Sequence, residues 1–222
     1  KQVIAVTGSS GKGSTTKIIA EVYKNLGYKV AYNDKGSNER SAIITTLLDS
    51  STITGKTKVD VAVFEMDERY VKYVFPHFPI DDVIITNLTR DQPPRQANFD
   101  FVLEEIKKGL NPKMHLYLNG DDPYLRNFDL EDKYKKTYYA IDELPNSYKV
   151  NPFQSINITR CPICNNTLDY KYYHFEHLGS YYCKNCDFKK EEAKYSITNC
   201  DYKEKTITIN EKYNIKFDST QK

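Results

Sequence analysis

Two groups of residues carry chemistry by type and spacing. The first is Thr7-Gly8-Ser9-Ser10-Gly11-Lys12-Gly13-Ser14-Thr15, which follows the apolar run Val3 to Val6 and opens a helical pattern. Glycines let backbone N–H groups approach an anion, a helix N-terminus adds to the same field, and a lysine neutralises phosphate charge. Hydroxyls at Ser14 or Thr15 are of the type that reaches magnesium. Two positions depart from the general phosphate-loop pattern, since Val6 replaces its first glycine and Gly13 follows the lysine where Ser or Thr is usual. The stretch is expected to be a nucleoside triphosphate site. The second group is Cys161-Pro-Ile-Cys164 and Cys183-Lys-Asn-Cys186, with eighteen residues between the pairs. Two such knuckles supply four thiolates to one tetrahedral ion and leave no position for water, so the site is expected to be structural zinc. Iron in the same geometry is the alternative.

All five cysteines lie in the last third of the chain. Cys200 reads as a free thiol, buried or partly buried on a strand. Tyr170, Tyr172, Tyr173, Phe175, Tyr181 and Tyr182 read as the small core of the ribbon, with base stacking as the alternative. Charge speaks against that alternative, because a net charge of +2 over 222 residues leaves no general nucleic-acid footprint. At 39% hydrophobic content the chain can bury one good core and carry an appendage. No apolar run approaches 18 residues and no signal-peptide pattern opens the sequence, so the expected location is the cytoplasm. A start at Lys1, directly on a core strand, suggests a piece of a longer protein.

The elements that must position these residues alternate. A strand at Val3–Val6 leads into a helix over Lys12–Leu26 with Ile18, Ile19, Val22 and Leu26 as its apolar face, stopped by Gly27. Strands follow at Tyr28–Asn33, Val59–Phe64, Asp82–Asn87, Met114–Leu118 and Thr137–Ile141. Helices are expected at about Arg40–Leu48, at Asp67–Val74 with a stop before Pro76, and from Phe99 to Leu110 with Asn98 as cap. A polar turn spans Asp34 to Asn38, and Asp49 to Lys58 reads as an exposed linker. This order predicts an α/β fold with a doubly wound, mostly parallel sheet. From about Tyr148 the helical period disappears, and Tyr195 to Phe217 alternates like short antiparallel strands.

Carboxylates at the C-terminal tip of a buried strand sit where open α/β sheets hold ligands. Glu65 therefore reads as a metal ligand. Asp67 and Glu68 read as solvated or capping groups, and Arg90 and Asp91 as site residues or a plain ion pair. The histidines at 77, 115, 174 and 177 show no i, i+4 spacing and receive no catalytic role.

The glycine loop resembles that of the ATP-dependent Mur ligases and folylpolyglutamate synthases, whose motif reads Gly-Thr-Asn-Gly-Lys followed by Thr, Ser or Gly. Phe64-Glu-Met-Asp-Glu68, Thr86-Asn-Leu-Thr-Arg-Asp-Gln92 and Leu118-Asn-Gly-Asp-Asp-Pro123 look like three later motifs of that superfamily. With the ribbon, they are most similar to the MurT subunits of lipid II isoglutaminyl synthases. The resemblance implies that Gly8, Ser9, Ser10, Gly11, Lys12, Gly13, Ser14, Thr15, Asn87 and Asn119 form the ATP site, with Lys12 and Glu65 catalytic. It implies magnesium held by Glu65 and by Ser14, or by Ser37, since Gly13 lacks the usual hydroxyl. Gln92 replaces the histidine that holds a second magnesium in most Mur ligases. It further implies an ATP-binding domain over 1–150, a ribbon insertion over 151–192, completing strands over 193–222, and a ligase domain beyond this chain. The implied reaction is ATP- and magnesium-dependent amidation of the D-glutamate α-carboxylate in lipid II, with ammonia from a GatD-like glutaminase. No nucleic acid takes part, and the membrane is met only through the substrate. The alternatives are an amino-acid ligase of the Mur or folylpolyglutamate type, or a zinc-ribbon nucleic-acid module with a nucleotide switch.

Overall fold

The computed structural model describes residues 1–33, 40–89, 99–153 and 159–217. The turn at 34–38 with Ser37, and Arg90, Asp91, Gln92 and Asn98, lie outside them. The chain forms two compact units, one of residues 1–118 with 131–136 and one of 119–130 with 137–222.

The first unit is built on five parallel strands, β1 (Gln2–Thr7), β2 (Val30–Tyr32), β3 (Val61–Glu65), β4 (Asp82–Ile85) and β5 (His115–Asn119), ordered β5-β4-β1-β3-β2. Parallel strands are covered on both faces and so read as continuous apolar runs. Accordingly Ala5, Val6, Val63, Val83 and Ile85 are fully buried. The register Val6↔Glu65 and Thr7↔Ile85 brings the C-terminal ends of β1, β3 and β4 side by side.

Helix α1 (Lys12–Asn25) starts one glycine turn after β1. It packs Ala20, Ile19 and Tyr23 on Ile4, Val6, Val61 and Val63. This corrects the expected apolar face, because Ile18, Val22 and Leu26 are exposed. At 3.6 residues per turn that stripe lies about a third of a turn from Thr16, Ala20 and Tyr23, and the small residues let the helix approach the sheet. The stripe instead rims an apolar groove with Ile84 and Tyr117. In α2 (Arg40–Asp49) Ile43 is buried, whereas Ile44 and Leu48 face outward. The segment after β3 is helical only over α3 (Val71–Val74), followed by a 3₁₀ turn at Phe75–His77 that contains Pro76. Asp67 closes a local turn onto Arg69 N (3.0 Å), which delays the helix start. Helix α4 (Phe99–Lys107) buries Val102, Leu103 and Ile106.

In the second unit a 3₁₀ segment, Pro123–Leu130, buries Leu125 and Phe128. Strand β6 (Lys135–Ile141) runs parallel to β9 (Tyr195–Asp201), which continues antiparallel through β10 (Thr206–Ile209) and β11 (Tyr213–Lys216). The antiparallel strands were legible in the sequence; the parallel pairing of β9 with β6 was not. The hairpin β7 (Asp169–Phe175) and β8 (Leu178–Tyr182) carries the ribbon.

Candidate active site and metal centre

The glycine loop is held in shape by the end of β4 and the residues after it. Ser9 N donates to Asn87 O (2.8 Å), and Ser10 N and Oγ both donate to Asn87 Oδ1 (3.2 and 3.0 Å). Asn87 Nδ2 and Thr86 Oγ1 donate back to Ser10 O (3.1 and 2.7 Å). Ser9 Oγ and Thr89 exchange two further bonds. Gly8 sits at φ 125°, and a Cβ there would stand 2.8 Å from Asn87 O. A glycine is thus required at this position, because backbone passes where a side chain would lie.

The loop delivers α1 with Gly11 as its N-cap, at φ 78°, with no side-chain cap and no acidic residue in the first turn. Its amides and the helix dipole are therefore directed at whatever occupies the loop. Lys12 Nζ donates to Gly8 O (2.6 Å) and Ser9 O (3.2 Å) and pairs with Glu68 Oε2 (3.4 Å). Both side chains are nearly enclosed, at 11% and 8% exposure. Glu65 is positioned by Asn33, which donates to Glu65 O (2.9 Å) and accepts from Glu65 N (2.8 Å). The Glu65 carboxylate lies over the first turn of α1, so that a Cβ on Gly13 would be 3.0 Å from Oε2. Ser14 is exposed on that turn, whereas Thr15 returns its hydroxyl to Gly11 O (2.8 Å).

The neighbouring acids are not solvated. Asp67 and Glu68 are 7% and 6% exposed. Asp67 takes a two-pronged bond from Arg69, with Nε at 2.9 Å and Nη2 at 2.6 Å. Burial raises its pKa, but the Arg69 guanidinium and backbone N–H outweigh it and hold the carboxyl below the usual range. Neither acid caps a helix, because α3 starts after Tyr70 with no side-chain cap: Asp67 closes a turn and pairs with Arg69, and Glu68 is the counter-ion of Lys12.

The second unit gathers the four cysteines. Cys161 and Cys186 Sγ are 3.5 Å apart, Cys164 and Cys183 Sγ 3.4 Å, and all four lie within 4.8 Å of one another. A disulfide needs about 2.05 Å, whereas ligands about 2.3 Å from a tetrahedral zinc are separated by about 3.8 Å. The spacing fits four thiolates around one ion. Asn166 lowers the Cys164 thiol to about 6 by donating Nδ2 to its sulfur (3.4 Å). Cys186 gains a lowering bond from the Phe188 backbone, but burial and the three neighbouring thiols push it up to about 12. A cation relieves this proton sharing by displacing the remaining protons. Beneath the knuckles Tyr181, 1% exposed, stacks on Phe188 (5.6 Å) and packs with Leu168 and the partly buried Tyr170 as the ribbon's core, which corrects the expected set of six aromatics, since Phe175 is 46% exposed. Cys200 is a partly buried free thiol on β9.

Residues 6–186 match the family model described as the Mur ligase middle domain. The chain belongs to the Mur ligase family. It is 29% identical over 201 residues to the lipid II isoglutaminyl synthase subunit MurT of Staphylococcus aureus, covering 90% of this chain and 44% of that protein. The MurT of Streptococcus pneumoniae is 27% identical over 89% of the chain and 43% of its own length. The chain thus spans less than half the length of these relatives. A pseudomurein peptide ligase type C from Methanothermus fervidus has the same fold, with a TM-score of 0.73 at 24% identity over 98% of this chain and 42% of that one.

Within this Mur ligase domain, Gly8 to Thr15, Glu65 and Asn87 converge in the first unit. Asn119 belongs to the second unit, where its Oδ1 accepts from Asp121 N (3.0 Å) and closes a turn. Sequence reasoning gave no role to Asn33 or Thr86 and misread Glu68 as solvated or capping. Thr86 stands inside a motif and was open to notice, but Asn33 and Glu68 act on partners 32 and 56 residues away, with no local signature.

Proposed function

We propose that this chain is the nucleotide-binding part of a carbon–nitrogen ligase that amidates the D-glutamate α-carboxylate of lipid II. The observation that carries the reading is the 29% identity to a MurT subunit along 90% of the chain. The loop amides and Lys12 would take the triphosphate, and Glu65 with Ser14 would hold magnesium beside it, while Asn87 keeps the loop in shape. Mur ligase chemistry with ATP converts the carboxylate to an acyl phosphate; ammonia then attacks the acyl carbon and phosphate leaves. What these residues supply is position and charge neutralisation around the transferred phosphoryl group. The acceptor groups and the closing ligase domain belong to the remainder of the full-length protein, as do contacts with a GatD-like glutaminase. The four-cysteine centre binds structural zinc, and the protein works in the cytoplasm at the membrane face presented by its substrate. Among the described residues no helix is long and apolar enough to cross a membrane.

The test is to co-purify the full-length protein with its glutaminase-like partner and to supply lipid II, ATP, magnesium and amide-¹⁵N glutamine. Labelled nitrogen should enter the product as a carboxamide. Addition of an intact amino acid, with no amidation, would refute the proposal in favour of a peptide-forming ligase.

A further inference from the structure

The segment Asn119-Gly-Asp-Asp-Pro123 lies outside the glycine-loop unit, and its two aspartates are spent on the ribbon. Asp121 and Asp122 are 3% and 0% exposed. Asp121 Oδ1 receives Lys190 Nζ at 2.5 Å, its Oδ2 receives Ile141 N at 2.8 Å, and its carbonyl receives Gly179 N at 3.0 Å. Lys190 also donates to Ile141 O (2.9 Å) and to Tyr172 Oη (3.4 Å). Burial outweighs the pull of Lys190 and raises the Asp121 carboxyl; burial lowers Lys190, but Asp121 outweighs it and raises the ammonium. Asp122 faces His177 Nε2 at 3.4 Å. One turn on, Arg126 pairs with Glu191 (3.0 Å), bonds the Lys189 carbonyl and lies over the Phe188 ring (5.3 Å).

These ribbon residues follow directly from the metal knuckle. Cys183 N donates to Phe188 O (2.8 Å), Lys190 N donates to Tyr181 O (3.0 Å), and Phe188 shares one core with Cys161 and Cys183. A continuous set of contacts therefore runs from the thiolates through Phe188 and Lys190 to Asp121, and from Asp121 to the Asn119 turn. In that turn Asp121 N bonds Asn119 Oδ1, Asp122 N bonds Asn119 O, and Gly120 N bonds Tyr139 O (2.7 Å).

We propose that Asp121 and Lys190 are positioning residues that make the conformation of the Asn119 turn depend on the metal in the ribbon. Without metal the 183–190 loop loses its anchor, Lys190 withdraws, and a buried carboxylate is left unpaired within the turn, a state that is relieved only by opening it.

The experiment uses full-length protein. Hydrogen exchange at the amides of Gly120, Asp121 and Asp122 is read without nucleotide, before and after chelation. Exchange there should accelerate about tenfold or more, since each opening free-energy loss of about 1.4 kcal/mol is a factor of ten. Lys190→Met should reproduce the acceleration while retaining zinc, and Lys190→Arg should restore protection. Unchanged exchange at 120–122 while 161–190 becomes labile, or full protection in zinc-loaded Lys190→Met, would overturn the coupling.

Discussion

Gly8 offers the sharpest test of how the loop is built. Its φ of 125° lies where L side chains rarely go, and a methyl there meets Asn87 O at 2.8 Å and Thr86 Oγ1 closer still. Backbone strain of this kind costs about 1–3 kcal/mol, and overpacking adds about 1–3 kcal/mol. Gly8→Ala should therefore lose about 2–6 kcal/mol, a large part of a total stability of about 5–15 kcal/mol. In urea, with a slope of about 2 kcal/mol per molar, the midpoint should fall by about 1–3 M. The double variant Gly8→Ala/Thr86→Ala removes one obstacle and leaves both the dihedral strain and the Asn87 carbonyl, so it should recover less than half of the loss. A Gly8→Ala midpoint within about 0.3 M of wild type, or complete recovery in the double variant, would refute the reasoning.

In the full-length protein Lys12→Ala should abolish ATP hydrolysis and also lower the melting temperature, because Glu68 is left buried without its counter-ion. Lys12→Ala/Glu68→Gln should regain the stability but not the hydrolysis; recovery of both would mean that Lys12 serves the fold alone. Metal analysis should find about one zinc per chain, and Cys161→Ser should lose both the metal and the ribbon's resistance to proteolysis. Asp67 sets an acid window. Its folded pKa is depressed, so its stabilisation is complete above the unfolded value of about 3.9 and fades as pH falls through the lower folded value. Arg69→Gln should thus cost melting temperature at pH 7 and progressively less below about pH 4; an equal deficit at both pH values would contradict it.

How much of this was legible depended on range along the chain. The loop, α1 and the buried strands announce themselves locally, through glycine spacing and unbroken apolar runs, and the spacing of the two Cys-x-x-Cys pairs marks the four-cysteine cluster. The helix face was misread because α1 carries two apolar stripes, and only the three-dimensional fit of Thr16 and Ala20 against β1 and β3 selects between them. Glu68 was misread for a different reason. A carboxylate two residues beyond a strand end looks solvated until its lysine, 56 residues earlier, arrives to neutralise it.

Gly13 shows how an apparent defect is resolved by packing. Read along the chain, it is a missing hydroxyl next to the lysine, and in a helix it costs about 0.5–1 kcal/mol relative to alanine. In the structure the volume of its absent side chain borders the Glu65 carboxylate, which Asn33 holds at the tip of β3. A carboxylate over the first turn of α1 enjoys the positive end of the helix, but so would a phosphate in the adjoining loop. Two anions in one field repel unless a cation stands between them. Gly13, by leaving room for Glu65 over that turn, sets a carboxylate oxygen beside the loop where the proposed nucleotide would need a divalent metal, with the exposed Ser14 on the same turn.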